Sequence, residues 1–211
     1  SLEFIDTSAP ATGYMVWKYF EYKELINPID IKIATWLYVS LISDTGSFKY
    51  QSTTSDTHRM AANLLESGLT TYPIHRVLYE EQPVSKIRLL SLAVQKMQLS
   101  SNNKIAWIVL TPDMITQVNG TFQDVDGITE YLRTIENVEI SFMIMQLSDG
   151  TFRVNFRSSG IYAINDVAQS LGGGGHKFAA GARIESMSLA DIKKHILGMM
   201  FKKIPGETHV N

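Results

Sequence analysis

The chain of 211 residues contains no cysteine, which excludes disulfides, thiolate zinc sites and cysteine nucleophiles at once. An excess of either charge is also missing: 19 Lys and Arg stand against 21 Asp and Glu, a formal net charge of −2. That balance argues against a protein that coats long nucleic acid by bulk electrostatics, but it leaves room for a short anion held by a few local cations. Long hydrophobic runs are lacking too. The longest nearly unbroken one, Trp36 to Ile42 with Ser40 inside it, falls well short of the ~20 residues that a membrane-spanning helix needs. No basic segment followed by an apolar one opens the sequence, so a cytoplasmic location without membrane contact is expected. What the chain has in quantity is apolar residues, 45% against 19% charged, which excludes intrinsic disorder. Its length allows one large domain or two small ones at roughly 100–200 residues each. It begins at Ser1 without an initiator Met and enters directly on an apolar run. The expectation is a piece of something longer, or a processed product.

The periodicity divides the chain in two. Leu2 to Ile5 reads as a short strand, followed by a turn with Pro10 near the first position of a helix to about Tyr22. Ile29, Ile33, Leu37 and Leu41 recur every four residues after Asn27-Pro28, predicting an amphipathic helix to about Ser43. Ser55 is expected to cap a helix over 56–67, with Gly68 as its left-handed C′ residue, and a shorter helix follows over 72–81. Pro83 closes this all-helical stretch, and 84–97 reads as a connecting helix. The pattern then changes. Ile105 to Leu110 is a β-branched, aromatic run. Val138 to Leu147, Asp149-Gly150 and Phe152 to Phe156 read as a hairpin on a tight primed turn. Short helices are expected from Thr111-Pro112, over 126–135 and over 165–171, then a strand over 182–184 and a last helix capped by Ser188. The expected fold class is α/β in two units: a helical unit over 1–83, then a smaller mixed-sheet unit over 84–211 that includes the connecting helix 84–98.

Three places can carry chemistry. Ser43-Asp44-Thr45-Gly46-Ser47-Phe48 ends a strongly apolar helix; Asp44 can offer a hard oxygen ligand there, or Asp44 and Ser47 can simply satisfy a turn. An acidic group at a helix C-terminus opposes the macrodipole, which favours a functional reason for it. Gly172 to Gly175 followed by His176 and Lys177 strips every Cβ from a loop, so backbone N–H groups can close on an anion, with His176 as a further donor. A flexible linker is the alternative reading. Arg157-Ser158-Ser159-Gly160, at the end of the hairpin's second strand, offers a planar guanidinium fork and hydroxyl donors suited to phosphate. His58, Arg59, Phe48 and Tyr50 are weaker candidates, and His75, His195 and His209 have no ligand-like spacing. No Walker loop, nucleophile elbow, His-Glu-x-x-His or dinucleotide fingerprint is present.

Taken together, Asp44-Thr45-Gly46-Ser47-Phe48, Thr53-Thr54, Arg157-Ser158-Ser159-Gly160, Gly173-Gly174-Gly175-His176 and Ala179-Ala180-Gly181 resemble the DHH superfamily of phosphoesterases. The likeness is to its nano-RNase branch, which pairs degradation of very short RNA with dephosphorylation of adenosine 3′,5′-bisphosphate. The resemblance implies an N-terminal domain whose parallel sheet holds two manganese ions through aspartates and histidines, and a DHH-associated domain that grips the substrate's phosphate. Carried over by position, Asp44 would be a metal ligand, and Gly173, Gly174, Gly175 and His176 the phosphate cradle, with Arg157 and Ser158 beside it.

The family's other metal motifs, including the Asp-His-His triplet, lie upstream of the Asp44 block. Here only Asp6 and Asp30 are aspartates before Asp44, and no His precedes His58. The expectation is therefore a manganese-dependent hydrolase whose remaining ligands are missing from this chain, which alone is inactive. Its partners would be short single-stranded RNA or a nucleotide phosphate, and a homodimer is compatible. Other readings stay open: a cyclic- or linear-dinucleotide phosphodiesterase, a single-strand exonuclease or a polyphosphatase of the same superfamily, or a non-catalytic nucleotide- or RNA-binding module.

Overall fold

The computed structural model describes residues 5, 6, 8–26 and 29–206. The expected strand over Leu2 to Ile5 and the Asn27-Pro28 break lie outside them, save Ile5, which is in no regular element. The backbone divides into two compact units, Ser1–Glu81 and Gln82–Asn211, and no described helix is long and apolar enough to cross a membrane.

The first unit is helical among its described residues: α1 (Thr12–Tyr22), α2 (Ile31–Asp44), α3 (Ser55–Glu66) and α4 (Thr71–His75), which runs on into a π-helical turn, Arg76–Glu80. A single helix was expected over 72–81. The wider turn instead rotates Tyr79 so that its hydroxyl donates to the Ile42 carbonyl of α2 at 3.2 Å. The stripe that α2 buries is Ala34, Leu37, Tyr38, Leu41 and Ile42, packed on Trp17, Met60 and Leu64. Ile33, in the expected four-residue stripe, is 40% exposed, because a spacing of four drifts off one face of a 3.6-residue helix. The cap of α3 is Thr54, one residue earlier than expected: its hydroxyl accepts from the Thr57 N–H while the Thr54 N–H donates to the Thr57 hydroxyl.

The second unit begins with α5 (Val84–Lys96) and builds one six-stranded sheet. Its strands are β1 (Gln98–Leu99), β2 (Ile105–Leu110), β3 (Ile140–Gln146), β4 (Phe152–Ser158), β5 (Gly174–His176) and β6 (Ala179–Ile184), in spatial order β1-β2-β3-β4-β6-β5. β2 and β3 run parallel and every other neighbour is antiparallel. The helices are α6 (Pro112–Gln117), α7 (Ile128–Leu132), α8 (Asn165–Ser170) and α9 (Leu189–Lys203), with a 3-10 turn at Phe122–Val125.

One face of the sheet packs on α8 and α9 through Trp107, Phe142, Val154, Phe156, Val167 and Ile196. The other packs on α5, α6 and α7 through Ile108, Met143, Leu89, Met114 and Leu132. β2 and β3 are therefore covered on both sides, which is why they read as unbroken apolar runs. β4 alternates instead, with Phe152, Val154 and Phe156 buried and Arg153 exposed. At β4, β6 and β5 the second face carries a groove.

Two expectations about this unit are corrected. The Asp149-Gly150 connection is a longer loop and not a two-residue turn: the Gly150 N–H donates to Leu147 O at 3.0 Å, and the Leu147 N–H to Thr151 O at 2.8 Å. The Asp149 carboxylate accepts the Thr151 N–H and hydroxyl and so forms a side-chain-closed turn of its own. The glycine block, read as a loop, becomes the edge strand β5, because a run without side chains can lie flat against the small residues of β6.

Candidate phosphate-binding site

The four glycines that precede His176 meet different demands. Gly172, at φ +76°, is the left-handed C′ residue of α8. Its N–H donates to Gln169 O and the Gly173 N–H to Ala168 O at 2.8 Å, the paired bonds of a Schellman ending. Gly173 lies so close to β6 that a Cβ there would stand 2.6 Å from both the Cα and the Cβ of Ala182. Gly175 adopts φ +132° and presses against Ala179 and Ala180 in the same way. Gly174 is different: a Cβ would meet nothing within 4 Å.

A groove of about 610 Å³ runs over this region, floored by Gly174, Gly181 and Ala179 and edged by Arg153, Asn155, Arg157 and Arg183, with Phe122 and Leu147 on its apolar side. The register explains the grouping. Asn155 pairs with Gly181, and Gly181 with Gly174, while Arg153 faces Arg183 and Arg157 faces Ala179. The strand period then puts all of them on one side of the sheet.

Arg157 is held in place by its neighbours. Its Nε donates to Glu130 Oε1 at 2.7 Å, Nη2 lies 2.7 Å from the same oxygen, and Nη1 donates to Phe156 O at 2.9 Å. Of the five guanidinium N–H groups, one on each terminal nitrogen is left, the arrangement that grips two oxygens of one phosphate. Arg183 is paired to Asp149 at 2.7 Å; bonds from Thr151, together with this guanidinium, hold the Asp149 carboxyl below its usual range. Arg153 has no ion pair or side-chain hydrogen bond among the described residues. Two arginines directly across a sheet repel each other, so the pair adds positive potential to the groove at some cost to the fold.

Ser158, expected in the cradle, is on the opposite face. It is 5% exposed, on the same side of β4 as Phe156, and its hydroxyl accepts the Gly160 N–H at 3.2 Å. Its neighbour Arg157 points the other way because successive strand residues alternate. His176 stands exposed at the end of β5 and is not among the residues lining the groove. Arg153, Asn155, Arg183, Phe122 and Leu147 line the groove but were not singled out in the sequence. The alternation Phe152-Arg153-Val154-Asn155-Phe156-Arg157 was the signal that places Arg153 and Asn155 beside Arg157.

Asp44 is described within the first unit. It is exposed at the end of α2 and makes no side-chain bond among the described residues. The loop after it is fixed. Gly46, Ser47 and Phe48 all have positive φ, at 56°, 57° and 65°. The buried Thr45 hydroxyl donates to Leu41 O at 2.7 Å and accepts the Phe48 N–H, and the Ser47 N–H donates to Ile42 O at 2.7 Å. Tyr50 closes over Gly46, where a Cβ would collide with its ring. Phe48 stacks on His58 with ring centroids 4.9 Å apart, and Arg59 pairs with Asp56, so these two candidates serve α3 and its loop. His75, given no role in the sequence, lies with its Nε2 3.3 Å from the Tyr38 hydroxyl.

No three His, Asp or Glu residues converge on a point among the described residues. The donor set around Asp44 therefore does not fit a two-ion metal centre, which needs several ligands.

Residues 96–200 match the DHHA1 domain. The chain carries that domain and resembles the DHH phosphoesterases of the oligoribonuclease and pAp-phosphatase type. It is 29% identical over 191 residues to the bifunctional oligoribonuclease and PAP phosphatase NrnA of Bacillus subtilis, an alignment covering 90% of this chain and 60% of that protein. To the protein of the same name from Thermus thermophilus it is 28% identical, over 93% of this chain and 58% of the other. The chain thus spans about three fifths of the length of the curated relatives it matches. Its fold is that of an exopolyphosphatase-related protein from Bacteroides fragilis, with a TM-score of 0.86 at 22% identity, covering 92% of this chain and 57% of that one.

Proposed function

We propose that the groove over β4, β6 and β5 grips a phosphate of a short oligoribonucleotide. In this reading the chain is the substrate-holding part of a metal-dependent phosphodiesterase that also dephosphorylates adenosine 3′,5′-bisphosphate. The observation that carries the reading is Arg157, held by Glu130 and Phe156 O with two N–H groups left over, beside a floor of Gly174, Gly181 and Ala179. A phosphate can settle onto bare strand there and meet a planar fork already in position, so little ordering entropy is lost on binding. His176, exposed at the end of β5, adds a donor for the next phosphate or sugar. The names of the curated relatives support the substrate class.

In this reading Asp44 is the one ligand this chain would offer to manganese ions, which in a complete enzyme would supply an activated water. Because the described residues do not assemble a metal centre, no hydrolytic step is assigned to the chain, which is inactive alone in this reading. The test is calorimetric titration of the 211-residue chain with adenosine 5′-monophosphate. Arg157→Gln should weaken binding by about tenfold or more, the worth of one charge-assisted hydrogen bond, and His176→Ala should weaken it by less. Unchanged affinity in Arg157→Gln would overturn the cradle, and turnover of a dinucleotide by the pure chain with manganese would overturn its inactivity.

A further inference from the structure

The groove has a part that a phosphate does not use. Phe122 and Leu147 line its apolar side, and Phe122 is 46% exposed, an aromatic ring left in solvent beside three arginines. The 3-10 turn that carries it is closed by a capping box, with the Thr121 N–H donating to Asp124 Oδ2 at 2.8 Å. Asp124 is 4% exposed and Val125 3% exposed, both anchored in the core, while Phe122 at the front of the same turn is kept out of it. A lone exposed Phe means little by itself. This one lines the same groove as Arg153, Arg157 and Arg183, whose floor is Gly174, Gly181 and Ala179.

The groove is also longer than one phosphate. Arg157 and Arg153 are four residues apart on the same face of β4, about 14 Å along the strand. Gln146 pairs with Phe152, so Leu147 lies at the Arg153 end, where Asp149 holds Arg183. Arg153 has no partner of its own among the described residues, and a guanidinium can lie flat on a ring as well as pair with an anion. The groove thus offers a guanidinium fork for phosphate at Arg157, and elsewhere in its lining aromatic, aliphatic and guanidinium surfaces that suit a planar heterocycle.

We infer that Phe122 is a stacking platform for a nucleobase, and that it makes the groove select nucleotides over inorganic phosphate chains. This rests on the phosphate reading of Arg157 and adds the specificity determinant to it. A polyphosphate has no ring to place on Phe122, whereas a nucleoside monophosphate held at Arg157 brings a base into the groove that Phe122 lines.

The experiment is calorimetry on the full chain with two probes, adenosine 5′-monophosphate and inorganic pyrophosphate. Phe122→Ala should weaken the nucleotide by about tenfold, the range for loss of one base–aromatic contact, and leave pyrophosphate unchanged. Phe122→Tyr should keep the wild-type preference. Unchanged nucleotide affinity in Phe122→Ala, or an equal loss for both probes, would overturn the platform. Arg157→Gln separates the two ideas. If it weakens both probes while Phe122→Ala changes neither, the phosphate cradle stands and the base platform falls. If it changes neither probe, the cradle itself falls and the platform with it.

Discussion

Gly173 and Gly174 are adjacent in the sequence, yet the structure predicts opposite consequences for replacing them with alanine. At Gly173 a methyl would stand 2.6 Å from the Ala182 Cα and Cβ. The Gly181 carbonyl oxygen would be closer still, so reaching ordinary contact requires the chain at Gly173 to retreat from β6 by roughly 1 Å or more, which stretches the ladder that pairs Gly174 with Gly181 and Gly175 with Ala180. Backbone cannot rotate away as a flexible side chain can, so the cost falls in the range for an overpacked core, about 2 kcal/mol. In a domain of this size that lowers Tm by roughly 5–12 °C. At Gly174 a methyl meets nothing and the backbone is free of strain. Alanine there should leave stability unchanged or raise it by up to about 1 kcal/mol through the unfolded state. Its methyl, however, stands on the floor of the groove and should weaken adenosine 5′-monophosphate by about tenfold. Thermal melts followed by circular dichroism and calorimetric titration read the two effects separately. A Gly173→Ala protein as stable as wild type would refute the close approach of β5 to β6. A Gly174→Ala protein with normal nucleotide affinity would refute the floor.

Three further outcomes follow from the first unit. Thr54→Ala removes the capping box of α3 and should cost about 1 kcal/mol; an unchanged urea midpoint would show that the cap contributes nothing. Burial raises the Tyr38 and Tyr79 hydroxyls above the usual tyrosine value, near 10. A raised acid stays neutral in the fold after it ionises in the unfolded chain, so stability is full below about pH 10 and falls as pH climbs towards the folded values. Spectrophotometric titration should show a late-ionising component that Tyr79→Phe reduces, and a single transition near the free value would contradict the burial. In a complete enzyme carrying this segment, Asp44→Asn should abolish manganese-dependent turnover with a stability change within about 0.5 kcal/mol, because Asp44 is exposed and unpartnered among the described residues. Full activity would remove Asp44 from the metal centre.

Much of the fold was legible because its signals are local. The period of 3.6 in α5, the apolar runs of β2 and β3, Pro112 at the start of α6 and Ser188 at the cap of α9 each depend on neighbours within a few residues. The π-helical turn at Arg76–Glu80 was not legible, since what stabilises it there is the Tyr79 bond to Ile42, 37 residues away. Nor was β5, whose glycines carry no strand propensity and form a strand only because β6 offers small residues to lie against.

The candidate site divides along the same line. Sequence alone singled out Arg157 and the glycine block as candidates for phosphate chemistry, because a fork of donors and a run without Cβ atoms are properties of residue type. Only the tertiary structure decided which residues share the groove with them. It turned Ser158 into the core and set His176 outside the lining. It also brought Glu130, 27 residues away, onto Arg157, and Phe122 onto the groove's apolar side. Strand alternation and pairing register fix which way a side chain faces, and register is set by contacts between segments distant in sequence.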